Sequence, residues 1–422
     1  MKVLWIVNMV LPKVAEELQL VTSASGGWLT DYADKLSADP NVELATMTYA
    51  NVKNDMDVMA SGIRNFIFAG GGKRLLFDHP KTIKDCKKVI DLYKPDIIHI
   101  HGTEYAIGAA MIRLKPKVPV LLTIQGILTR ISEEYYGGLS FLELMKVKSI
   151  KSAVRLKTPF FAKCLMKKNA KRERFVLNNV KHVTGRTEWD KSTMLRINGS
   201  LKYHRFNYNL RAEFYEAKKW DIDNIEKHTV YTGAATYTLK GLHILLQAIA
   251  IVKKKYPDVK LFVPANQADY KKANAYEKYV LRMINKLGIE DNVVFVGRKN
   301  ASEVADILGH THVCVVPSAI EGASATMCEA MMIGTPGICS YRGGMTDLLR
   351  DGASGYYYDF KEYPVLASRI ITLFDDNELC CKFSKRAIAD AEERHDRARN
   401  YRQLIGIYEE LLKENKNAQS KA

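Results

Sequence analysis

The sequence contains no uninterrupted apolar run that approaches the length needed to cross a bilayer, which is about 20 residues. Apolar residues make up 47% of the 422 positions and charged residues 26%, proportions that are typical of an ordinary globular protein with a large core. The short apolar run at the amino terminus has no small-residue cleavage site directly after it, so it predicts a first buried strand rather than a signal sequence. The composition excludes a disordered chain and predicts two or three folded domains without transmembrane segments.

Cysteine is scarce, and its pattern does not predict a disulfide framework. The seven cysteines are odd in number, lack the spacing of metal ligands and mostly lie within apolar segments. This usage is typical of a reducing compartment, so we expect a cytoplasmic protein.

Acidic residues are outnumbered, because 63 lysines and arginines stand against 47 aspartates and glutamates, a formal net charge of +16. Such an excess favours an anionic partner, which could be nucleic acid, a phosphorylated substrate or the acidic inner face of a membrane. The sequence has no recognition-helix, zinc-finger or paired-aromatic signature. We therefore expect no nucleic-acid partner.

The stretch from Val313 to Gly344, VCVVPSAIEGASATMCEAMMIGTPGICSYRGG, predicts one strand-loop-helix-strand unit. Its first apolar run ends at Ser318 and is typical of a fully buried strand, and residues 323–333 predict a helix closed by Gly-Thr-Pro. A second short apolar run then ends in a glycine pair. Units of this kind build parallel sheets, in which ligands bind beyond the carboxyl ends of the strands.

Two glutamates in this unit are spaced like two contacts on one elongated ligand. Glu321 lies just past the first strand and Glu329 lies inside the helix, which separates their carboxylates by roughly 10 Å at the helical rise. This is wider than the ~5 Å of a carboxylate pair that acts on one glycosidic bond with retention. Between them, the free backbone amides around Ala323, Ser324 and Ala325 could hold an anion at the helix amino terminus. A sugar, a diphosphate and a ribose laid end to end would suit this layout.

The spacing Glu-x7-Glu before EAM-x-x-GTP and a Gly-Gly turn resembles the retaining glycosyltransferases of family four, which have the GT-B fold. The resemblance implies an α/β architecture of two doubly wound, Rossmann-like domains that face each other across a cleft. It implies that Glu321, followed by Gly322, contacts the sugar of a nucleotide-diphosphate donor and that Glu329 contacts its ribose. It also implies that Lys240, at a loop-helix junction, binds the diphosphate. No cofactor is expected besides the donor substrate, a UDP- or GDP-linked sugar, and no metal site is visible.

Two positions in the second half depart from the family pattern. The arginine that usually lies five residues before the lysine is Ala235 in this chain. That part of the diphosphate clamp is missing or supplied from elsewhere, and Arg298, directly after a predicted strand, is a candidate. Pro-Ala-Asn at 264–266 replaces the glycine-rich turn that is often found there, so the sequence does not predict which nucleotide is preferred.

Candidate acceptor-side residues follow the predicted strands of the first half. Gly26 and Gly27 open a helix and let a sugar or phosphate approach the backbone, and the resemblance assigns them to the reacting end. His101 ends one strand, either as a contact to acceptor or phosphate or as a structural residue. Gln125 ends another strand, where many family members carry a histidine. Arg186 lies in GRTEWD, which resembles a bacterial branch of the family associated with cell-surface polysaccharides, and is a candidate for phosphate or acceptor binding.

Residues 145–174 are the most basic segment of the chain, with Glu173 as their only acid. Their lysines and arginines alternate with apolar side chains, a composition typical of a helix in a bilayer interface with its cationic face toward anionic lipid. An ordinary solvated basic face is the alternative. We expect peripheral binding to the inner face of the cell membrane through this segment.

The predicted domains are an acceptor-side domain over 1–207, a nucleotide-sugar domain over 220–390, and a carboxyl-terminal helix over 391–415 that packs back on the first domain. The predicted function is transfer of a sugar from a nucleotide diphosphate to a hydroxyl of a glycan or polyprenyl-linked glycan. Transfer is expected to proceed with retention at the anomeric carbon, in cell-surface polysaccharide synthesis. Two alternatives stay open, a sugar-nucleotide epimerase of the same fold and a non-catalytic nucleotide-sugar-binding protein.

Overall fold

The computed structural model describes residues 1–21, 27–145, 159–233, 236–267 and 275–420. These residues divide into two compact α/β units. The first unit comprises Met1–Thr129, Lys167–Asn209 and His395–Ala422, and the second comprises Arg130–Met166 and Leu210–Arg394.

The described residues contain fourteen strands, eight in the first unit and six in the second. They are β1 Lys2–Ile6, β2 Glu43–Ala50, β3 Met56–Ala60, β4 Ile63–Ala69, β5 Ile97–His101, β6 Val120–Thr123, β7 His182–Gly185, β8 Lys202–Arg205, β9 Glu226–Tyr231, β10 Lys260–Val263, β11 Val293–Phe295, β12 Thr311–Val316, β13 Gly337–Ser340 and β14 Gly355–Tyr358.

The described helices cover the faces of these sheets. They are α1 Pro12–Glu17, α2 Gly27–Ala38, α3 Gly71–Leu76, α4 Pro80–Tyr93, α5 Ala106–Arg113, α6 Leu128–Glu133, α7 Phe141–Met145, α8 Pro159–Leu177, α9 Glu188–Ile197, α10 Glu213–Glu216, α11 Leu242–Val252, α12 Ala275–Leu287, α13 Ala301–His310, α14 Ala325–Ile333, α15 Tyr363–Asp375, α16 Asn377–Arg394 and α17 Arg397–Gln419.

The first unit is built on an eight-stranded sheet in the order β3-β4-β2-β1-β5-β6-β7-β8. Every neighbouring pair is parallel except β3 with β4. Side chains alternate between the two faces of a strand, so Leu4 and Ile6 of β1 enter one buried cluster while Val3 and Trp5 enter the other. Burial on both faces explains why this strand is a continuous apolar run in the sequence.

The last helix, α17, belongs to the first unit although the second unit precedes it in the chain. Tyr408 of α17 is completely buried, and its hydroxyl oxygen accepts from Trp5 Nε1 at 3.0 Å. The same hydroxyl lies 2.7 Å from His99 Nδ1. The helix is thus fixed to the centre of the sheet by polar contacts within an apolar core.

The second unit is built on a six-stranded, wholly parallel sheet in the order β11-β10-β9-β12-β13-β14. All six residues of β12 are buried at the centre of this sheet. Two doubly wound, mostly parallel sheets confirm the predicted α/β class. The sequence did not predict β3 or β8. Both are edge strands of four or five residues, and β8 is largely polar.

Residues 130–145 are a correction to the predicted boundaries, because they pack on the second unit although the prediction placed them in the first domain. Thr238 Oγ1 donates to the carbonyl oxygen of Tyr135 at 2.7 Å. Nε2 of His243, on α11, lies 3.0 Å from the carbonyl oxygen of Gly137 and forms a hydrogen bond with it. Because a carbonyl oxygen only accepts, His243 is protonated on Nε2.

The basic segment also differs from its prediction. Residues 146–158 lie outside the described residues, and α8 begins at Pro159. Near the end of this helix Arg172 and Glu173 are buried. Glu173 accepts from the backbone N–H groups of Leu128 and Thr129, each at 2.8 Å. The carboxyl-terminal part of the predicted membrane-facing segment therefore belongs to the core of the first unit. Among the described helices, none has the length and apolarity to cross a membrane.

Candidate functional site

The central strand-loop-helix-strand unit of the sequence exists in the second unit as β12, α14 and β13. The helix begins at Ala325, two residues later than predicted, because Ser324 is its N-cap and the Ser324 side chain accepts from the backbone N–H of Met327 at 3.4 Å. Ala323 therefore lies in the loop before the helix. The amino terminus of α14 directly follows the loop that carries Glu321, and a helix amino terminus is a typical site for an anion.

Lys240 and Glu321, which were predicted to act on the same donor, form an ion pair between Lys240 Nζ and Glu321 Oε1. Ser318 Oγ donates to the same carboxylate oxygen at 3.1 Å. Burial alone lowers the pKa of Lys240, but the Glu321 carboxylate and the Tyr237 hydroxyl more than offset this effect and leave the pKa above its ordinary value. The Lys240 ammonium is therefore charged at every physiological pH.

The Gly-Gly turn after β13 holds the loop of Glu321. The backbone N–H of Gly344 donates to the carbonyl oxygen of Glu321 at 2.9 Å. Gly343 has φ +63°, and a Cβ at this position would overlap that same carbonyl oxygen. The predicted importance of this glycine pair thus has a steric basis, since only glycine permits the backbone to approach Glu321 so closely.

Glu329 has a partner that the sequence did not indicate. Arg211 Nη2 lies 2.7 Å from Glu329 Oε1, and the Arg211 guanidinium lies 4.9 Å from the ring of Phe214. Burial raises the pKa of Glu329, and Arg211 opposes that increase. Arg211 stands in a polar linker 118 residues before Glu329, and neither spacing nor periodicity relates the two positions.

The other predicted donor-side residues are only partly brought together. Gly322 lies in the loop between Glu321 and the helix cap. Arg298 is exposed after β11 and follows Gly297, which has φ +77°. Ala235 lies outside the described residues. Gly233, two residues after β9, would overlap the Thr326 hydroxyl if it carried a Cβ, so the loop after this strand closely approaches the amino terminus of α14.

Three predicted acceptor-side residues are neighbours at the carboxyl edge of the first sheet. Gln125 Nε2 donates to the carbonyl oxygen of His101 at 3.3 Å, and Arg186 Nη2 donates to the carbonyl oxygen of Gln125 at 2.7 Å. A helix cap lies next to Arg186, because Thr187 Oγ1 accepts from the backbone N–H of Asp190 at 3.1 Å. The strand ends thus place these side chains together, as parallel topology requires.

His101 is buried between aromatic rings, with its ring centroid 4.5 Å from that of Trp5 and 5.6 Å from that of Trp28. Burial lowers its pKa well below 6.5, and His99 adds to the decrease, so the imidazole is neutral at pH 7. A neutral ring does not form an ion pair with phosphate. This argues against the phosphate role left open by the sequence.

The glycine pair before the first long helix is described only in part. Gly27 is the first residue of α2, and Gly26 lies outside the described residues. The sequence did not single out two aromatic residues of this edge, Trp28 and Tyr208, whose ring centroids are 4.3 Å apart. Trp28 directly follows the glycine pair, and that position was a usable signal. Tyr208 follows β8, whose sequence lacks the apolar pattern that predicts a strand.

The family match lies in the second unit. Residues 214–390 match the family model for glycosyl transferases group 1. The chain is 28% identical over 138 residues to an N-acetyl-alpha-D-glucosaminyl L-malate synthase of Bacillus anthracis, covering 33% of this chain and 36% of that relative. It is 29% identical over 176 residues to spore coat protein SA of Bacillus subtilis, covering 40% and 46%. The matched region thus spans less than half of these relatives.

Solved structures match nearly the whole chain in fold. Sucrose-phosphate synthase from Thermosynechococcus elongatus has a TM-score of 0.72 at 16% identity, covering 97% of this chain and 98% of that one. Anabaena Alr3699/HepE in complex with UDP has a TM-score of 0.65 at 16% identity, covering 97% and 100%. The chain therefore has the predicted GT-B fold, and its residues 214–390 are similar to the group 1 glycosyltransferases.

Proposed function

We propose that this protein is a retaining glycosyltransferase that moves a sugar from a nucleotide diphosphate to a hydroxyl group of a glycan or polyprenyl-linked glycan. The observation that carries the proposal is the Lys240 and Glu321 ion pair beside the amino terminus of α14. It combines a permanent cation, a carboxylate and a helix amino terminus after the end of a buried parallel strand. This combination suits a ligand with a diphosphate and a sugar.

Each group has a distinct task in the proposed reaction. Lys240 and the N–H groups of α14 stabilise the negative charge that develops on the departing diphosphate. Glu321, held by Ser318 and by the backbone of Gly344, positions the sugar. Glu329, oriented by Arg211, binds the ribose hydroxyls. The acceptor attacks from the face of the leaving group, and a donor phosphate oxygen takes its proton.

The known proteins support a nucleotide donor and a sugar-transfer reaction. One structural neighbour is described in complex with UDP and another as bound with UDP-2-fluoro glucose, and relatives include a D-inositol 3-phosphate glycosyltransferase. We infer a UDP- or GDP-linked donor on this basis. The GRTEWD run supports a role in cell-surface polysaccharide synthesis through its resemblance to that branch of the family.

The nucleotide site is tested by calorimetric titration of the protein with UDP, GDP and ADP. We expect one of them to bind at micromolar concentration, and Glu329→Ala to weaken it by about 100-fold because the variant loses ribose contacts and leaves the partly exposed Arg211 guanidinium without its carboxylate partner. Glu378→Ala, an exposed helix carboxylate of the same unit, is the matched control and should bind like wild type. Equal affinities of wild type and Glu329→Ala would remove the ribose role.

The alternatives are separated by the products formed from the donor that binds. A glycosyltransferase forms a new glycoside with retained configuration only when an acceptor is present. Release of a rearranged, nucleotide-free sugar without acceptor would indicate an epimerase. Tight nucleotide binding without any turnover in a panel of UDP- and GDP-sugars would indicate a binding protein.

We also propose that the protein docks on an anionic membrane through the basic segment up to residue 168. Two segments that flank the undescribed residues 146–158 expose apolar side chains. Leu142 is 69% exposed, Phe160 is 61% exposed, and the Phe160 ring lies 6.5 Å from that of Phe141. Interfacial proteins are held on anionic lipid by burial of apolar side chains and by electrostatic attraction of basic residues. This part of the chain has both kinds of residue.

Liposome sedimentation tests the membrane contact. Reversing the charges of Lys146, Lys148, Lys151 and Arg155, which lie outside the described residues, should weaken binding to phosphatidylserine vesicles by at least about 100-fold, at about 1 kcal/mol per basic residue. The pair Leu142→Ser and Phe160→Ser should weaken it further. Met59→Ser, at a residue 66% exposed on β3, is the control. Undiminished binding after charge reversal would contradict the proposal.

A further inference from the structure

Two polar side chains border one small space at the carboxyl edge of the first sheet. Glu104 follows β5 and Gln125 follows β6. A Cβ placed on Gly102 would overlap Glu104 Oε2 and would lie 3.2 Å from Gln125 Nε2. Gly102 has φ +92°, so both the backbone conformation and the space above it require glycine. Because residue 102 has no side chain, the space beside its Cα is bordered by the carboxyl group of Glu104 and the amide group of Gln125.

The carboxyl group of Glu104 is only half satisfied. Its Oε1 accepts from the backbone N–H of Gly126 at 3.1 Å, whereas Oε2 is buried and has no hydrogen-bond partner among the described residues. Glu173, a neighbouring carboxylate, accepts from Thr103 Oγ1 and from two backbone N–H groups. One carboxylate is thus used for structure, while the other keeps a free acceptor at a cost in folding free energy. Such a cost is typical of functional groups.

Aromatic and cationic side chains lie at the same edge of the sheet. The Arg186 guanidinium lies 4.7 Å from the ring of Tyr208, and the ring of Trp28 lies tilted against the same ring at a centroid distance of 4.3 Å. The Tyr208 hydroxyl donates to the carbonyl oxygen of Ile124, directly before Gln125, at 3.2 Å. Aromatic faces with a few oriented polar groups are typical of sites for small organic molecules.

The charged and titratable groups that face Glu104 come from three further elements. Glu173 and Arg172 lie on α8, and Arg172 Nη2 donates to the backbone carbonyl oxygen of Glu104 at 2.5 Å. Tyr208 follows β8. Arg186 follows β7, and its guanidinium contacts the ring of Tyr208. Burial raises the pKa of Glu104 to about 7, Glu173 adds to the increase, and backbone N–H groups oppose it. The carboxyl group therefore changes its charge near neutral pH.

We propose that Glu104 recognises the acceptor, with its Oε2 accepting a hydrogen bond from a hydroxyl of the sugar that receives the transferred residue. This inference rests on the proposed function, because only a glycosyltransferase has such an acceptor. A hydroxyl donates more strongly to a carboxylate than to a neutral carboxyl group. Acceptor affinity therefore rises as the pH rises through 7, and a bound acceptor lowers the pKa of Glu104.

The test uses the full-length protein with ¹³C-labelled glutamate, and the Glu104 carboxyl resonance is assigned by its loss in Glu104→Gln. Methyl glycosides of glucose, galactose, mannose and N-acetylglucosamine are the probes, each added with and without UDP. We expect at least one glycoside to shift this resonance and to move its titration to lower pH. The affinity of the protein for that glycoside should fall by about 10- to 100-fold in Glu104→Ala, because the variant has no acceptor for the sugar hydroxyl.

Two further variants separate recognition from structure. Glu104→Gln keeps the bond from Gly126 but cannot ionise, so its glycoside affinity should be independent of pH between about 6 and 8. Glu16→Gln, on the exposed face of α1, should keep the wild-type pH profile. The proposal is overturned if none of the four glycosides shifts the Glu104 resonance, or if Glu104→Ala binds the active glycoside like wild type. Absence of both UDP and GDP binding by the wild type would instead count against the proposed function, because the proposed nucleotide contacts lie in the second unit and Glu104 lies in the first.

Discussion

Replacement of Lys240 by alanine is expected to lower the rate of sugar transfer by about 10³-fold, the upper end of the effect of removing one preorganised group that stabilises developing charge. The Lys240 ammonium is the charged partner of Glu321 and stays protonated at physiological pH. Without it the departing diphosphate loses a cation in a site with little solvent. The loss should appear in kcat more than in the affinity for the nucleotide, because the negative charge grows as the bond breaks.

The same substitution has a structural effect that must be separated from the catalytic one. The side chains of Lys240 and Glu321 are only 22% and 16% exposed, so removing the cation leaves a carboxylate largely buried and unpaired. We expect a loss of about 3 kcal/mol of stability. The double variant Lys240→Ala with Glu321→Gln should recover most of this stability, because the buried charge is gone, and should recover none of the activity.

The measurement compares turnover and thermal unfolding of Lys240→Ala, Glu321→Gln and the double variant. Lys255→Ala is the matched control, because Lys255 pairs with Asp375 at 2.6 Å on the exposed surface, where such a pair contributes about 1 kcal/mol or less. A Lys240→Ala enzyme that is folded and has near wild-type turnover would remove the lysine from the mechanism. Recovered activity in the double variant would show that the loss was structural.

The strand-loop-helix-strand unit around Glu321 was largely predictable because its signals are local. A buried parallel strand is a continuous apolar run, a helix that follows it ends at glycine and proline, and the loop between them is short. The stretch from Val313 to Gly344 contains all of these signals, and the structure has β12, α14 and β13 there. The steric role of Gly343 against the Glu321 backbone explains why the glycine pair accompanies the glutamate.

The rest depended on contacts between distant parts of the chain. Arg211 reaches Glu329 across 118 residues, and residues 130–145 join the second unit through contacts to Thr238 and His243. Glu104 shows its unusual environment only when Glu173 and Gly126 are placed beside it. Propensity and periodicity report on neighbours along the chain, so they carry no information about such pairs.

The burial of two residues of the basic segment could not be predicted from composition. Its lysines and arginines suggested one continuous surface helix, but α8 turns Arg172 and Glu173 into the core. Arg172 is accommodated there because its guanidinium donates to the carbonyl oxygens of Leu76 and Glu104. A buried charge needs such partners, and the sequence does not reveal whether they exist.

The conformation of the turn that presents Lys240 depends on Gly241, and Gly241→Ala should have the largest effect on stability of any single change in the site. Gly241 has φ +69°, and a Cβ there would overlap the carbonyl oxygen of Pro317. Neither the backbone strain nor the clash can be relieved by a side-chain rotation. The two costs, about 1–2 kcal/mol for the left-handed conformation and about 1–3 kcal/mol for overpacking, should together lower the melting temperature by about 10 °C.

Gly406→Ala is the matched control for this change, because Gly406 lies inside α17 with nothing within 4 Å of an added Cβ. Alanine in a helix should stabilise the protein by about 1 kcal/mol. Calorimetric unfolding of both variants, with nucleotide titration of Gly241→Ala, gives the comparison. If Gly241→Ala melts like wild type and turns over normally, the turn is not held against Pro317 as the geometry requires. Lys240 would then reach the diphosphate without the constraint that we assign to this glycine.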